Sequence, residues 1–350
     1  MIIYLLLAVM PVFLVLFFGD LNKPSAKRGY LFVCGLLLLL FMGFRSYSVG
    51  SNDTRNYMDM MRTAIKARTW KQLYNPDGVE GGFQMLLFLL SRLFDNEQSI
   101  VIVSSALFTV LTLWFISRNS QDIPLSITIY ITLGLMMFHM QGMRQSIAMC
   151  LCFFAYELSK KRKLVLFAIV IVFASLFHQT AIVFAIVYFI PRIKFNTLNL
   201  LLAFIAAIAM LAISGQIVNF ANDLFEMEYV TEVDSGGFVA TIIYAMVLVF
   251  AFLFNSRLRK ETANHHDATL FYITFLGFAL YVMRYFAAQQ AERISFYFAF
   301  GQMILLPNTA QQLKPRDRVV VKLAIYTLSI LLFLYRINGS NFEPYAFCWQ

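Results

Sequence analysis

Long apolar runs dominate this chain, and its polar residues fall almost entirely in the gaps between them. The runs cover about 2–18, 30–44, 82–94, 99–117, 123–139, 143–159, 164–177, 179–190, 198–214, 238–255, 268–284, 293–307 and 319–335. A helix of about 20 apolar residues crosses the hydrocarbon core of a bilayer, since each residue adds about 1.5 Å. Segments of alternating character are absent, which argues against a β-barrel. In lipid every backbone polar group needs an internal partner, so the spans are predicted to be helices. The predicted class is an all-α, polytopic integral membrane protein.

Basic loops set the threading. Lys23/Lys27/Arg28, Lys160-Lys161-Arg162-Lys163, Arg257/Arg259/Lys260 and Lys314/Arg316/Arg318 are compact, and Arg192/Lys194 make a weaker fifth. Such loops stay on the cytoplasmic side. If every run crossed, the loops at 23–28 and 160–163 would lie on opposite sides. The run 82–94 is therefore expected not to cross: it is interrupted by Ser91-Arg92 and flanked by Glu80-Gly81-Gly82 and Asp95-Asn96-Glu97. As a helix it covers only about 20 Å, which places it on, or dipping into, the outer surface.

Twelve spans follow, with both termini outside and the acidic group Glu226, Glu228, Glu232 and Asp234 outside as well. The prediction is one transmembrane domain, 1–350, with an outer loop at about 45–98. Within that loop Tyr57, Met61, Ala64 and Ile65 recur at helical spacing beside Arg62 and Lys66, which predicts an amphipathic surface helix over about 54–72. Residues 164–190 read as two helices turning at Phe177-His178-Gln179-Thr180. A single crossing would bury His178 in lipid and carry the next basic groups outside.

Composition agrees with this picture. The 350 residues are 60% hydrophobic and 13% charged, with a mean hydropathy of +0.70. The net charge of +9 belongs to membrane-orienting loops, so no nucleic-acid partner is expected. Cys34, Cys150, Cys152 and Cys348 offer no disulfide framework. His265-His266 reads as a solvated loop pair, and no His/Cys cluster has metal-ligand spacing, so neither a metal nor a cofactor is expected. The first run lacks a basic leader and a cleavage site and reads as a retained helix.

Threaded this way, Arg45, Asp53, Glu80, Arg144, His178, Arg284, Glu292 and Arg293 all reach the outer mouth. A single arginine at a helix end could simply snorkel to the interface. Four from separate helix ends (Arg45, Arg144, Arg284, Arg293) point instead to an anion, because guanidinium groups bind phosphate bidentately and keep their charge. The His178 imidazole could accept a proton from a hydroxyl or donate hydrogen bonds to a phosphate, or it is a satisfied structural residue. Asp53 is either a helix N-cap or an acid of the site. Glu80 either favours a helix N-terminus or takes part in the chemistry, with Gly81-Gly82 allowing close approach to the backbone. Glu292 reads as a salt-bridge partner orienting Arg293, and His139 as structural. Tyr345 offers a stacking face for a sugar or belongs to an interfacial aromatic belt.

Several stretches taken in order resemble the EpsG-type branch of the Wzy-like polysaccharide polymerases. They are Arg45 with Gly50-Ser51-Asn52-Asp53 and Tyr57, Glu80-Gly81-Gly82-Phe83, and Met143-Arg144-Gln145-Ser146-Ile147-Ala148. They continue with Leu176-Phe177-His178-Gln179-Thr180-Ala181, Glu292-Arg293-Ile294 with Tyr297, and Pro344-Tyr345. The run Ser51-Asn52-Asp53-Thr54 departs from the Gly-Asp-Tyr more common in relatives.

The resemblance implies a glycosyltransferase of the bacterial inner membrane, with a GT-C-like helical fold open to the periplasm. Such enzymes join oligosaccharide repeat units carried on undecaprenyl diphosphate, with a chain-length regulator as a further partner. The residues suit that reaction independently of the family: the acceptor hydroxyl needs a base, for which His178 and Glu80 are the candidates, with Asp53 third. Arg45, Arg144, Arg284 and Arg293 would hold the diphosphate, with Tyr57, Gln145, Glu292 and Tyr345 on the substrate. Another lipid-linked sugar transferase or a ligase would use the same arginines. A transporter of an anionic glycolipid would instead place its binding residues near the midplane and show internal repeats, and none is visible.

Overall fold

The computed structural model describes residues 1–50, 52–225, 237–259, 266–286 and 290–350. Glu226, Glu228, Glu232, Asp234, Lys260 and His265 lie outside the described residues. The helices are α1 (Ile2–Phe18), α2 (Pro24–Gly43), α3 (Asn52–Lys66), α4 (Trp70–Leu73), α5 (Gly81–Leu93), α6 (Gln98–Asn119), α7 (Ile123–Thr132), α8 (Leu135–Gln141) and α9 (Met143–Lys160). They continue with α10 (Leu164–Ser175), a 3-10 helix (Gln179–Tyr188), α11 (Thr197–Ala212), α12 (Ser214–Phe225), α13 (Phe238–Phe254), α14 (His266–Met283), α15 (Gln290–Ser295), α16 (Phe300–Ala310) and α17 (Pro315–Ile337). Among the described residues there is no β-strand, only an isolated bridge between Arg45 and Phe347.

Helix ends follow local chemistry. Pro24 and Pro315 open α2 and α17, where a missing N–H costs nothing. The Asp122 carboxylate caps α7 by accepting from the Leu125 N–H at 3.2 Å. Between α7 and α8 the chain turns at Gly134, whose φ of +102° is a left-handed conformation. That break bends the pair by 52°. The apolar run at 164–190 also breaks: α10 ends at Ser175, and His178 stands in extended conformation before the 3-10 helix.

Among the described residues four helices are long and apolar enough to cross a membrane (α2, α6, α14 and α17), or five if bent α7–α8 is one span. Six further apolar helices of 10–17 residues are shorter. Outer helices expose rows of large apolar side chains, such as Leu198, Leu201, Leu202, Phe204, Ile205 and Ile208 on α11. Water would penalise such a surface and acyl chains would not, which fits a multi-pass membrane protein. Inside the bundle α9 packs against α6, α10 and the 3-10 helix, while α14 packs against α13, α15 and α16. Helix α3 lies across α5, α6 and α8. The C-terminal segment returns to pair with the loop after α2, through Ser46 N–H to Ala346 O at 2.8 Å and Cys348 N–H to Phe44 O at 2.8 Å.

His266 departs from its sequence reading. It is not solvated: its ring lies 3.0 Å from the Tyr156 hydroxyl and 3.3 Å from the Asn119 carbonyl, because α14 begins inside the bundle. His139 is fully buried with Nδ1 3.0 Å from the Tyr130 hydroxyl, a structural contact.

Candidate functional site

Gly142 stands at the N-cap of helix α9, whose first turn carries Arg144 and Gln145. The free N–H groups of a helix N-terminus attract negative charge, and this terminus opens into a cavity of about 620 Å³. Asp53 and Tyr57 of α3, Gly142, Arg144 and Gln145 of α9, His178, Glu292 and Arg293 of α15, and Arg336 of α17 all line it. Residues from five separate parts of the chain thus meet at one end of the bundle.

Glu80 organises one wall. It precedes α5 but does not cap it. Its carboxylate reaches across instead. One oxygen accepts from Arg144 Nη1 and the other lies 2.7 Å from His178 Nδ1, also accepting from the Gln179 N–H at 3.3 Å. Burial by itself would raise the Glu80 carboxyl above its ordinary 4.5. The His178 hydrogen bond and the Arg144 charge outweigh that and hold it down at about 2. With Nδ1 bonded to a carboxylate, the imidazole keeps its proton there and presents Nε2 as the basic nitrogen. The Glu80 side chain is only 7% exposed and lies off the cavity lining.

Gly82 makes this wall possible. Its N–H donates to the Leu176 carbonyl at 2.9 Å, and a Cβ there would stand 2.5 Å from that oxygen. Only glycine lets α5 press its N-terminus against the turn that carries His178.

The second wall is braced from behind. Arg284 is 3% exposed and binds the Glu292 carboxylate at 2.5 Å and the Tyr281 hydroxyl at 3.0 Å. Glu292 therefore pairs with Arg284 rather than with neighbouring Arg293. The Gln145 amide donates to the Arg293 carbonyl at 2.6 Å, tying α9 to α15. Arg144 itself lines the cavity while its Nη1 holds Glu80.

Three sequence candidates fall elsewhere. Arg45 is 1% exposed. Its guanidinium donates to the Met42 carbonyl and, at 2.6 Å, to the Met140 carbonyl, with Thr54 Oγ1 at 3.4 Å. It ties the end of α2 to α8 and α3 through both Nη atoms, and Arg45 does not line the cavity. Tyr345 donates to the Phe41 carbonyl at 2.6 Å and stacks on the Phe41 ring at 4.5 Å, so it presents no face to the cavity. Ser340 and Phe342 take the tail's place there. Arg284 does not line the cavity but pairs with Glu292, which does. Asp53 lies in the first turn of α3, not at its cap, and lines the cavity.

Arg336 was missed by sequence reasoning. It closes the apolar run of α17 as Arg45 and Arg284 close theirs, which was the available signal. Its guanidinium nitrogens come within 3.4 Å of where a Cβ on Gly134 would stand. The left-handed break between α7 and α8 thus makes room for it.

This arrangement can hold an anion between Arg144, Arg293, Arg336 and the α9 terminus, and can take a proton at His178. No curated protein and no solved structure matches the chain. The family model described as the EpsG family matches residues 29–347, nearly the whole chain, and the chain belongs to that family.

Proposed function

We propose that the protein is a membrane glycosyltransferase that polymerises oligosaccharide repeat units carried on undecaprenyl diphosphate. Family membership supports a polysaccharide polymerase-like activity. The observation that carries the finer reading is the Glu80 carboxylate bridging Arg144 and His178 on the wall of an arginine-lined cavity.

The acceptor sugar hydroxyl attacks the anomeric carbon of the donor chain while the bond from that carbon to the phosphate oxygen breaks. The hydroxyl proton passes to His178 Nε2, and the diphosphate leaves on its lipid. Charge grows on phosphate oxygens as that bond opens. Arg144, Arg293, Arg336 and the α9 N-terminus meet it with fixed positive charge, which costs no reorganisation during reaction. Glu80 is a poor base, since its carboxyl is held at about 2 and both oxygens are engaged. It positions His178 instead, and Asp53 sits where it can orient the acceptor. Single displacement inverts the anomeric carbon, and a product of retained linkage would overturn that step.

The twelve-span threading is part of the same proposal. It counts α5 as the helix that does not cross and sets the cavity toward the periplasm of a bacterial inner membrane. Its support is that Lys27 and Lys160 bond to Ser117 and Asn119 at the end of α6 remote from the cavity. Purified protein given a lipid-linked repeat unit should yield a ladder of chain lengths, and should do so in the presence of a chelator. A single added unit would favour a ligase. Activity lost to the chelator and restored by a divalent ion would overturn the role given to the arginines.

A further inference from the structure

Beside the cavity lies a second hollow that the reaction does not use. It measures about 600 Å³ and is walled by Phe44, Tyr47, Phe94 and Trp349 with Ser46, Asn96, Glu97, Gln98, Ser99 and Gln350. Helix α3 divides the two spaces: Asp53 and Tyr57 face the cavity and Met58 faces the hollow. The C-terminal segment joins them, with Ser340 and Phe342 at the cavity and Cys348, Trp349 and Gln350 at the hollow.

We infer that this hollow binds the saccharide chain of the product, holding sugar rings already joined while the next unit is added. This rests on the polymerase reading above.

Three observations favour sugar. Trp349 is 66% exposed and backed by Phe347, with ring centroids 4.6 Å apart and planes 5° apart. Tyr47 and Phe94 are 55% and 45% exposed on the same hollow. An aromatic face is electron-rich and receives the C–H face of a pyranose, while the ring's hydroxyl edges need polar partners. Asn96, Glu97 and Gln350 supply such partners at the rim.

The floor also holds two unanswered polar atoms. Gln98 Oε1 and Ser99 Oγ are buried without a hydrogen-bond partner in the protein, on residues 8% and 6% exposed. Gln98 is fixed by its amide, which donates to the Gly43 and Arg45 carbonyls at 2.9 and 3.0 Å. Gln98 and Ser99 thus give the hollow polar residues below its rim as well as at it.

Position agrees as well. From Phe342 to Trp349 seven residues of extended chain reach at most about 24 Å, the length of a short oligosaccharide. A lipid chain fits less well. A hollow suited to one lies between α2 and α6, walled by Leu31, Phe32, Leu36, Leu39, Val110, Leu113 and Trp114 and almost free of polar groups.

The test uses full-length protein in nanodiscs and oligosaccharides of increasing length released from the producing cell's own polymer. Titration should change the fluorescence of wild type, and Trp70→Phe/Trp114→Phe should keep that response. In Tyr47→Ala, apparent affinity should fall about threefold to tenfold, as expected of one aromatic face. In the polymerisation assay Trp349→Ala should shorten the ladder and leave the first addition at its wild-type rate, and Trp349→Phe should restore length. Unchanged titrations and ladder lengths in Trp349→Ala and Tyr47→Ala would overturn the inference, as would quenching of Trp349 by brominated lipid that oligosaccharide cannot relieve. Absence of any ladder from wild type would instead overturn the polymerase reading, and the titration would still decide the hollow.

Discussion

The two ends of the helix bundle bury similar residues to opposite effect. At the end remote from the cavity the Asp267 carboxylate accepts from Asn308 and Asn255 at 3.2 and 3.1 Å. The Asp122 carboxylate takes Lys322 at 2.5 Å and Gln311 at 2.8 Å, and Glu157 takes Asn119 at 3.0 Å and Lys160 at 2.8 Å. These groups clasp α6, α7, α9, α14, α16 and α17 together, and none lines a cavity described above. At the other end Glu80 also has its partners, but those partners, Arg144 and His178, face open space. Polar burial whose partners answer one another locks helices together. Polar burial whose partners line a cavity is an arrangement for a ligand.

Substitutions at the two ends should therefore separate activity from stability. The largest effect belongs to His178→Ala, expected to slow polymer formation by about 10²–10⁴, the range for losing a general base. Wild-type turnover in a lipid-linked substrate assay would return His178 to a structural part. Arg144→Ala should cost about 10²–10³ in rate, as for one lost donor to a developing anion, with membrane insertion retained. Arg336→Ala should cost about tenfold, because its guanidinium is one of several around the anion. If Arg336→Ala matches wild type while Arg144→Ala does not, the anion sits on the α9 side alone.

At the opposite end, Asp267→Ala removes one of two acceptors from each of the Asn255 and Asn308 amides and should cost about 1–3 kcal/mol of stability. Its turnover per folded molecule should stay at the wild-type level, and loss of turnover without loss of stability would erase the distinction between the ends. The smallest effect concerns pH. A carboxyl depressed to about 2 from 4.5 contributes stability that is complete above its ordinary value and lost as pH falls toward the depressed one. The melting gap between wild type and Glu80→Gln should still be full-sized at about pH 5 and close only in stronger acid. A gap that closes near neutrality would mean Glu80 is not held by His178 and Arg144.

Sequence and structure divide the site unevenly. Arg144, His178 and Arg293 were legible because each stands at the end of an apolar run, where a polar group needs a reason. Arg45 satisfied the same criterion and turned inward to backbone carbonyls. Arg336 satisfied it too and was passed over. Nothing in a run of letters distinguishes these outcomes, since they depend on which way the chain turns after the helix.

The alternation of apolar runs with basic loops settled on its own that the chain is helical and built for a bilayer, since backbone in lipid permits little else. It also located the break at His178, because an imidazole inside a crossing helix is too costly to leave there. Only the tertiary structure decided that Glu80 would meet both Arg144 and His178, that Arg284 would stand behind Glu292, and that Tyr345 would pack away from the cavity. Those pairings join residues tens to hundreds of positions apart. They depend on how helices press together at points such as Gly82 and Gly134, where a missing side chain sets the distance between neighbours.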